Sequence, residues 1–285
     1  MLPEILFRRD LSDPDVEAEW QAVNNYFPEV VERRRQLRGA KNLATGIYIP
    51  RMVIGRYSVL PYYRELEQDC AVSGHSLINT YEQHQWIADF KYYKSMRDVT
   101  PETCKADNFH RWDYEGPFVV KGATNSRKQR WDKEMYAPTR QDAARIASYL
   151  STLPYIGEQK IIIRKYIPLV TYETGLHGLP FTNEWRFFFC GTKEIAHGYY
   201  WSQAEYPEKA TLTEEAVGFA NKVAKRVARV VNFFVLDIAQ TEEGNWILIE
   251  INDGQMSGLS LIDPDEFYRS LSYELKASAR MERGF

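Results

Sequence analysis

The segment from Asn232 to Asn252, NFFVLDIAQTEEGNWILIEIN, restricts the fold more than any other stretch of this chain. Residues 233–239 and 246–251 are short aromatic and β-branched runs separated by Thr-Glu-Glu-Gly-Asn, the pattern of two antiparallel strands joined by a tight connection. Into this apolar hairpin the sequence sets three oxygen-bearing side chains: Asp237, Glu250 and Asn252. Side chains alternate faces along a strand, so Trp246, Leu248, Glu250 and Asn252 are expected on one face. Ile247, Ile249 and Ile251 are then expected on the other, facing a core. A four-residue loop over 241–244 sets Asp237 opposite Leu248 and diagonal to Glu250 on the shared face, whereas a five-residue loop separates them. Two carboxylates and an amide oxygen on a dry sheet repel one another unless a cation lies between them. Magnesium, which takes hard oxygen ligands and shares them with nucleotide phosphates, meets that need. The alternative is that Asp237 is an ordinary strand-end residue and Glu250 pairs with a distant arginine.

Elsewhere strand and helix signals alternate, as in an α/β layer. Glu4–Phe7 reads as a strand and residues 15–24 as an acid-started helix. The run from Val30 to Lys41 carries Arg33, Arg34, Arg35, Arg38 and Lys41, and reads as a solvated face rather than a phosphate surface. TGIYIPRMVI at 45–54 reads as strand, and Pro61 opens a helix. A long helix is expected after Ser76–Asn79 and ended by Pro101, with Tyr81, Trp86, Ile87, Phe90, Tyr93 and Met96 as its apolar face. Lys91 and Lys94 lie one turn apart on it, facing either an anionic ligand or solvent.

Pro117–Gly122 is a strand ending at Lys121, followed by a cationic loop in which Arg127, Lys128 and Arg130 suit closure over a polyphosphate. With Trp131 the same loop offers a single-stranded nucleic-acid contact, the weaker reading for a chain of net charge -3. Thr139 is placed to cap a helix through about Leu150. Lys160–Pro168 is a strand whose exit, Arg164, Lys165, Tyr166 and Ile167, reads either as a hinge with backbone groups for an adenine edge or as an ordinary core strand. Residues 169–182 look like an inserted loop, and Asn183–Trp201 like two strands around a Gly-Thr turn. Glu184 and Arg186 share a face there, where a mutual ion pair competes with a functional role. His197 is either a base or a packed histidine. An amphipathic helix over 213–231 leads into the Asp237 hairpin, and a last helix runs from Asp263 to about Ala279.

At 44% hydrophobic and 26% charged, the chain has enough apolar surface for one large or two small domains. Cys70, Cys104 and Cys190 are widely spaced without a CxxC pair, which argues against a disulfide framework and structural zinc, and for a reducing, cytoplasmic setting. Residues 1–30 carry acids and no long apolar run, so neither a signal peptide nor membrane association is expected.

This order of signals resembles the ATP-grasp superfamily over roughly residues 76–275. The likeness rests on the strand-end lysine in FVVKG, the hinge strand IIIRKYIPL, and the hairpin pair LDIA and IEIN. It implies an α/β (α+β) architecture: a small partner domain over 1–75, then an ATP-grasp domain over 76–285 with a lid or central subdomain at about 100–165 and a catalytic subdomain at 166–285, nucleotide lying between two sheets. It further implies that Lys121, and Lys91 or Lys94, bind phosphate, that Glu184 takes the ribose hydroxyls, and that Arg186 meets the transferred phosphate. Asp237, Glu250 and Asn252 match the family's magnesium ligands, manganese being the alternative ion. The loop ATNSRKQRW departs from the family's glycine-rich lid and, with NEWRFF, looks most like the compact phage-associated clade with an arginine/lysine-rich lid. A lesser similarity is to a eukaryotic cell-division-cycle chaperone that assembles a translation initiation factor. The activity implied by the resemblance is ligation of a carboxylate to an amine through an acyl phosphate, on an amino acid, peptide or protein, with Arg186, His197, Gln255 and Ser257 as substrate-side candidates. An ATP-dependent assembly clamp is the alternative.

Overall fold

The structure is a computed structural model describing residues 2–32 and 51–281, with side chains described through residue 277. The basic run Arg33–Lys41 and the first part of the strand expected at 45–54 lie outside the described residues. A parallel sheet comes first, built from β1 (Glu4–Phe7), α1 (Pro14–Tyr26), β2 (Val30–Glu32), β3 (Met52–Arg56), α2 (Tyr63–Val72) and β4 (Ser76–Leu77), in strand order β2-β1-β3-β4. Asp13 caps α1 by accepting from the amides of Asp15 and Val16, with Pro14 at the first helical position, where a missing N–H is harmless.

The single long helix expected before Pro101 is instead two: α3 (Tyr81–Ala88), opened by a Thr80–Gln83 capping box, and the one-turn α4 (Tyr93–Met96). The break falls at Phe90, whose φ of 58° is left-handed backbone that a right-handed helix does not continue through. Phe90 is thereby buried with Tyr92 and Met96 in the core, which hydrophobic periodicity registers but cannot locate.

Next, β5 (Thr103–Lys105), β6 (Phe118–Gly122), α5 (Trp131–Glu134), β7 (Tyr136–Ala137), α6 (Arg140–Leu150) and β8 (Ile161–Lys165) form an antiparallel sheet of order β5-β8-β6-β7. Alternation packs Phe118, Val120, Ile161 and Ile163 with Ala143 and Ile146 of α6. Val119, Lys121, Ile162 and Arg164 therefore share the opposite face. Residues 169–182, expected as loop, form a small hairpin of β9 (Thr171–Thr174) and β10 (Pro180–Thr182). Strands of four and three residues are too short to carry a readable period.

The last sheet, β12-β11-β13-β14, is antiparallel and comprises β11 (Glu184–Cys190), β12 (Lys193–Tyr199), then after α7 (Glu214–Val227) β13 (Phe233–Gln240) and β14 (Trp246–Asp253), before the final α8 (Pro264–Met281). Cover on both faces explains why β11 and β13 read as nearly unbroken apolar runs. Phe187, Phe189, Phe234 and Leu236 pack with α7, Phe90 and Met96 on one face. On the other, Phe188, Phe233 and Val235 meet Ile5 and Phe7 of the parallel sheet and Phe267 and Leu271 of α8. Each such buried side chain contributes about 1.5–3 kcal/mol. The buried Arg56 fastens this second layer, donating to Glu19 at 2.7 Å and to the carbonyls of Gly254 and Ser257.

That second face is only half covered. Beyond Phe188 and Val235 it continues into Arg186, Glu184, Asp237 and Glu250, which look across at Lys121 of the preceding sheet. The space between the two sheets is a cleft. Among the described residues no helix is long and apolar enough to cross a membrane.

Candidate active site

Gln240 pairs with Trp246, so the turn is the five residues 241–245, closed by the Thr241 amide donating to the Asn245 carbonyl at 2.8 Å. Regular alternation from a turn of that length would put Glu250 on the face away from Asp237. A β-bulge prevents this: Ile238 faces Leu248 while Asp237 faces Glu250 directly, and Ile249 is the extra residue. The expected faces are corrected accordingly, with Trp246, Leu248 and Ile251 in the helix-side core and Ile247 and Ile249 lining the cleft beside Glu250. Arg164 holds the bulge open by donating from Nη1 to the Ile249 carbonyl at 2.5 Å, from Nη2 to Thr100 Oγ1 at 2.6 Å and from Nε to Thr103 Oγ1 at 3.2 Å. It borders the cleft, but its donors are committed to the protein. A lysine reaches only one of these acceptors, so Arg164→Lys is expected to cost about 1–3 kcal/mol in urea unfolding. An unchanged midpoint would remove the role given to this guanidinium.

Each acid meets a cation delivered by another strand. Arg186 donates to Asp237 as a fork, Nε to Oδ1 and Nη2 to Oδ2 at 2.8 Å each, and its Nη1 donates to the Gly258 carbonyl at 2.8 Å. Glu184 and Arg186 therefore do not form the mutual pair weighed from sequence. Lys121 crosses the cleft to Glu250, and Asn252 Nδ2 donates to Asp237 Oδ2 at 3.3 Å. Burial draws Lys121 below the ordinary lysine pKa despite Glu250 beside it. Burial also works against the Glu250 carboxylate, yet Lys121, Lys128 and Asn252 hold it below the usual glutamate value.

Of the three lid cations only Lys128 enters the cleft, where Nζ donates to Tyr200 Oη at 2.5 Å and sits 4.8 Å from the Trp201 ring. Arg127 and Arg130 turn instead to Glu134, at 2.7 and 3.7 Å, because that buried carboxylate needs counter-charge. Glu184 is 4% exposed; Oε2 accepts from Thr182 Oγ1 at 3.2 Å, while Oε1 has no hydrogen-bond partner among the described residues. Burial pushes its pKa up to about 7 against the opposing pull of Lys128. Val119, Met135, Tyr166, Ile167, Ile247 and Ile249 make an apolar slot at the other end. Lys165 and Tyr166 stand at its edge, their amides donating to Glu102 and Pro117 carbonyls at 2.8 and 2.9 Å. The cavity left is about 120 Å³, smaller than the roughly 300 Å³ at which small-molecule pockets begin, so the lid has to withdraw for a nucleotide-sized ligand. A larger open depression of about 1230 Å³ behind α6 holds none of these paired charges.

Several sequence candidates fall outside the cleft. The turn at Phe90 carries Lys91 and Lys94 to a separate depression, where both are exposed and Lys91 pairs with Asp89 at 3.0 Å. His197 pairs in register with Phe187, hence on the α7 face, and its Nδ1 meets Glu194 at 2.6 Å. Gln255 is fully buried, accepting from the Gly55 amide at 2.9 Å and donating to Tyr63 at 2.6 Å. Ser257 Oγ donates to the Asp253 carbonyl at 2.9 Å. Both are spent on packing. Conversely, Tyr200, Trp201 and Thr182 belong to the cleft and escaped the sequence reading; a Tyr-Tyr-Trp run where β12 ends was the signal for the first two, and Thr182 had none.

Two carboxylates and an amide oxygen side by side are a hard-oxygen donor set suited to magnesium, and the partnerless Glu184 oxygen suits a pair of hydroxyl donors. Among the described residues no group of three or more His, Cys, Asp and Glu could hold a metal, the third oxygen here being an amide. Residues 109–271 match the family model for an ATP-grasp domain, family 3 of the R-two-K clade. The chain belongs to this clade of ATP-grasp proteins. Its fold is the ATP-grasp fold, α/β, with a parallel N-terminal sheet followed by antiparallel ones. No curated protein matches it. Among solved structures it is similar to the D-cycloserine synthetase DcsG, at 14% identity and a TM-score of 0.59 over 95% of this chain and 99% of that one. It is also similar to the ATP-grasp ligase PsnB, complexed with a phosphomimetic variant of its minimal precursor, Mg and ADP, at 12% identity and 0.58 over 97% of each chain. D-alanyl-alanine synthetase A from Vibrio cholerae matches at 12% identity and 0.57, over 97% of this chain and 98% of its own. At such identities the likeness is one of fold.

Proposed function

We propose that this ATP-grasp protein is an ATP- and magnesium-dependent ligase joining a carboxylate to an amine, acting in a reducing, cytoplasmic setting on an amino acid, peptide or protein. The observation that carries this reading is the pair of ion pairs in the cleft, Lys121 with Glu250 across it and Arg186 with Asp237 along one wall. Each joins a group suited to phosphate with one suited to a divalent ion. In this reading residues 1–75 are the partner domain and 76–285 the ATP-grasp domain, its central and catalytic parts meeting near residue 165. Lys165, Tyr166 and Ile167 border the adenine, Glu184 takes the ribose, and Lys121 and Lys128 hold the phosphates. Asp237, Glu250 and Asn252 hold magnesium, which when bound neutralises phosphate charge during transfer. Arg186, already fixed by Asp237 and Gly258, stabilises charge on the phosphoryl group as it moves to the substrate carboxylate. The lid keeps water from the activated acyl group until the amine attacks.

Following ADP release with ATP, magnesium and panels of amino acids or acidic peptides tests the proposal. Substrate-dependent release supports ligation, whereas tight nucleotide binding without turnover supports the clamp. Glu184 adds a pH signature. Its pKa of about 7 lies above the reference 4.5, so its contribution to stability is full below 4.5 and is lost as pH rises through about 7. A carboxylate accepting ribose hydroxyls favours the ionised form, so ADP affinity is expected to rise with pH up to that value, by at most about tenfold per unit. Glu184→Gln should flatten the profile in calorimetric titrations; a wild-type profile already flat there would remove Glu184 from the ribose site.

A further inference from the structure

At the outer edge of the β5-β8-β6-β7 sheet lie two adjoining depressions, about 330 and 570 Å³, which share Tyr93, Arg97, Thr103 and Cys104. Five exposed cations line them: Lys91, Lys94 and Arg97 from the α3–α4 segment, Lys105 at the end of β5, and Arg111 just beyond. Two acids oppose them. Asp89 is paired with Lys91 at 3.0 Å, and Glu102 accepts from Trp112 Nε1 at 2.9 Å. The result is a concentrated positive surface on a chain whose formal net charge is -3, a focused field for an anionic partner.

Shape decides which anion. β5 ends its sheet, paired among the described residues with β8 alone, but its Thr103 amide already donates to Tyr93 Oη at 2.8 Å, so it is the two adjoining depressions with their five cations, rather than a free backbone ladder, that suit an extended chain. Single-stranded nucleic acid calls for open aromatic faces. Here Tyr93 is stacked on Phe90 at 5.3 Å with the Arg97 guanidinium 5.4 Å from its ring, and Trp112 packs among Phe109, Tyr114 and Phe118. Those rings are already engaged. We infer that this edge docks an extended, Asp/Glu-rich segment of a partner protein. The surface lies outside the nucleotide cleft, so the inference stands whether or not the chain is a ligase.

Fluorescence anisotropy with a labelled alternating Glu-Gly peptide of about ten residues, roughly 30 Å when extended, tests it on the full chain. Binding is expected, weakening with salt. The double variant Lys105→Glu/Arg111→Glu, with one reversal in each depression, should weaken it at least about tenfold. The neutral pair Lys105→Gln/Arg111→Gln should give a smaller loss in the same direction, and both should bind ADP as wild type does, which shows the fold intact. Failure of the peptide to bind, indifference to both double variants, or tighter binding of a labelled oligothymidylate than of the peptide would each overturn the assignment.

Discussion

Glu250→Gln is expected to lower ATP turnover by a factor on the order of a hundred or more while leaving metal-free ADP binding unchanged or tighter. The two effects separate because Glu250 stands between opposite demands. As a carboxylate it offers magnesium a charged oxygen; against Lys121 it occupies a cation that a phosphate would otherwise use. Glutamine keeps the shape and removes the charge, which frees Lys121 and weakens the metal's hold. Calorimetric titration of ADP with and without magnesium measures both, and the gain in affinity that magnesium gives should largely disappear. Lys121, 9% exposed in its side chain, is left without its counter-charge, so unfolding in urea should shift by about 1–3 kcal/mol. If magnesium still enhances ADP binding to the variant, Glu250 is no metal ligand.

Arg186→Lys is the second large effect, a loss of turnover of roughly a hundred- to a thousandfold. The exchange keeps the charge but discards the planar fork that lets Arg186 grip both Asp237 oxygens at 2.8 Å and the Gly258 carbonyl together. A lysine satisfies one acceptor, leaving the rest of the 1%-exposed Asp237 carboxylate short of donors. KM for ATP should move less than kcat, because the interaction removed belongs to the moving phosphoryl group rather than to the bound nucleotide. A variant with wild-type kcat would exclude Arg186 from the chemistry.

The legible parts of the molecule were those with a local pattern. The hairpin and the strand ending at Lys121 were readable as short apolar runs bounded by turn residues, the Thr139 cap by its residue type, and the amphipathic α7 by buried positions that recur about every 3.6 residues. Illegible features turned on single residues. A left-handed Phe90 moved Lys91 and Lys94 out of reach of the cleft, and an unpaired Ile249 restored the facing of Asp237 and Glu250 that a five-residue turn would have spoiled. Neither leaves a mark in local hydrophobicity. The counter-charges of the two acids were hidden for another reason: Lys121 and Arg186 precede Glu250 and Asp237 by 129 and 51 positions, and only the packing of two sheets brings the first pair together and the pairing of β11 with β13 the second.

The family match begins at residue 109, yet the second face of the last sheet is sealed by Ile5, Phe7 and α8, with Arg56 tied at once to α1 and to the Gly254 and Ser257 carbonyls. Recombination between relatives is therefore constrained. A transplant beginning at the recognisable motif would inherit every acid of the hairpin but strip Ile5, Phe7 and the Arg56 tie from the face of Phe188 and Phe233, so viable crossovers must carry the leading strands along with the catalytic half.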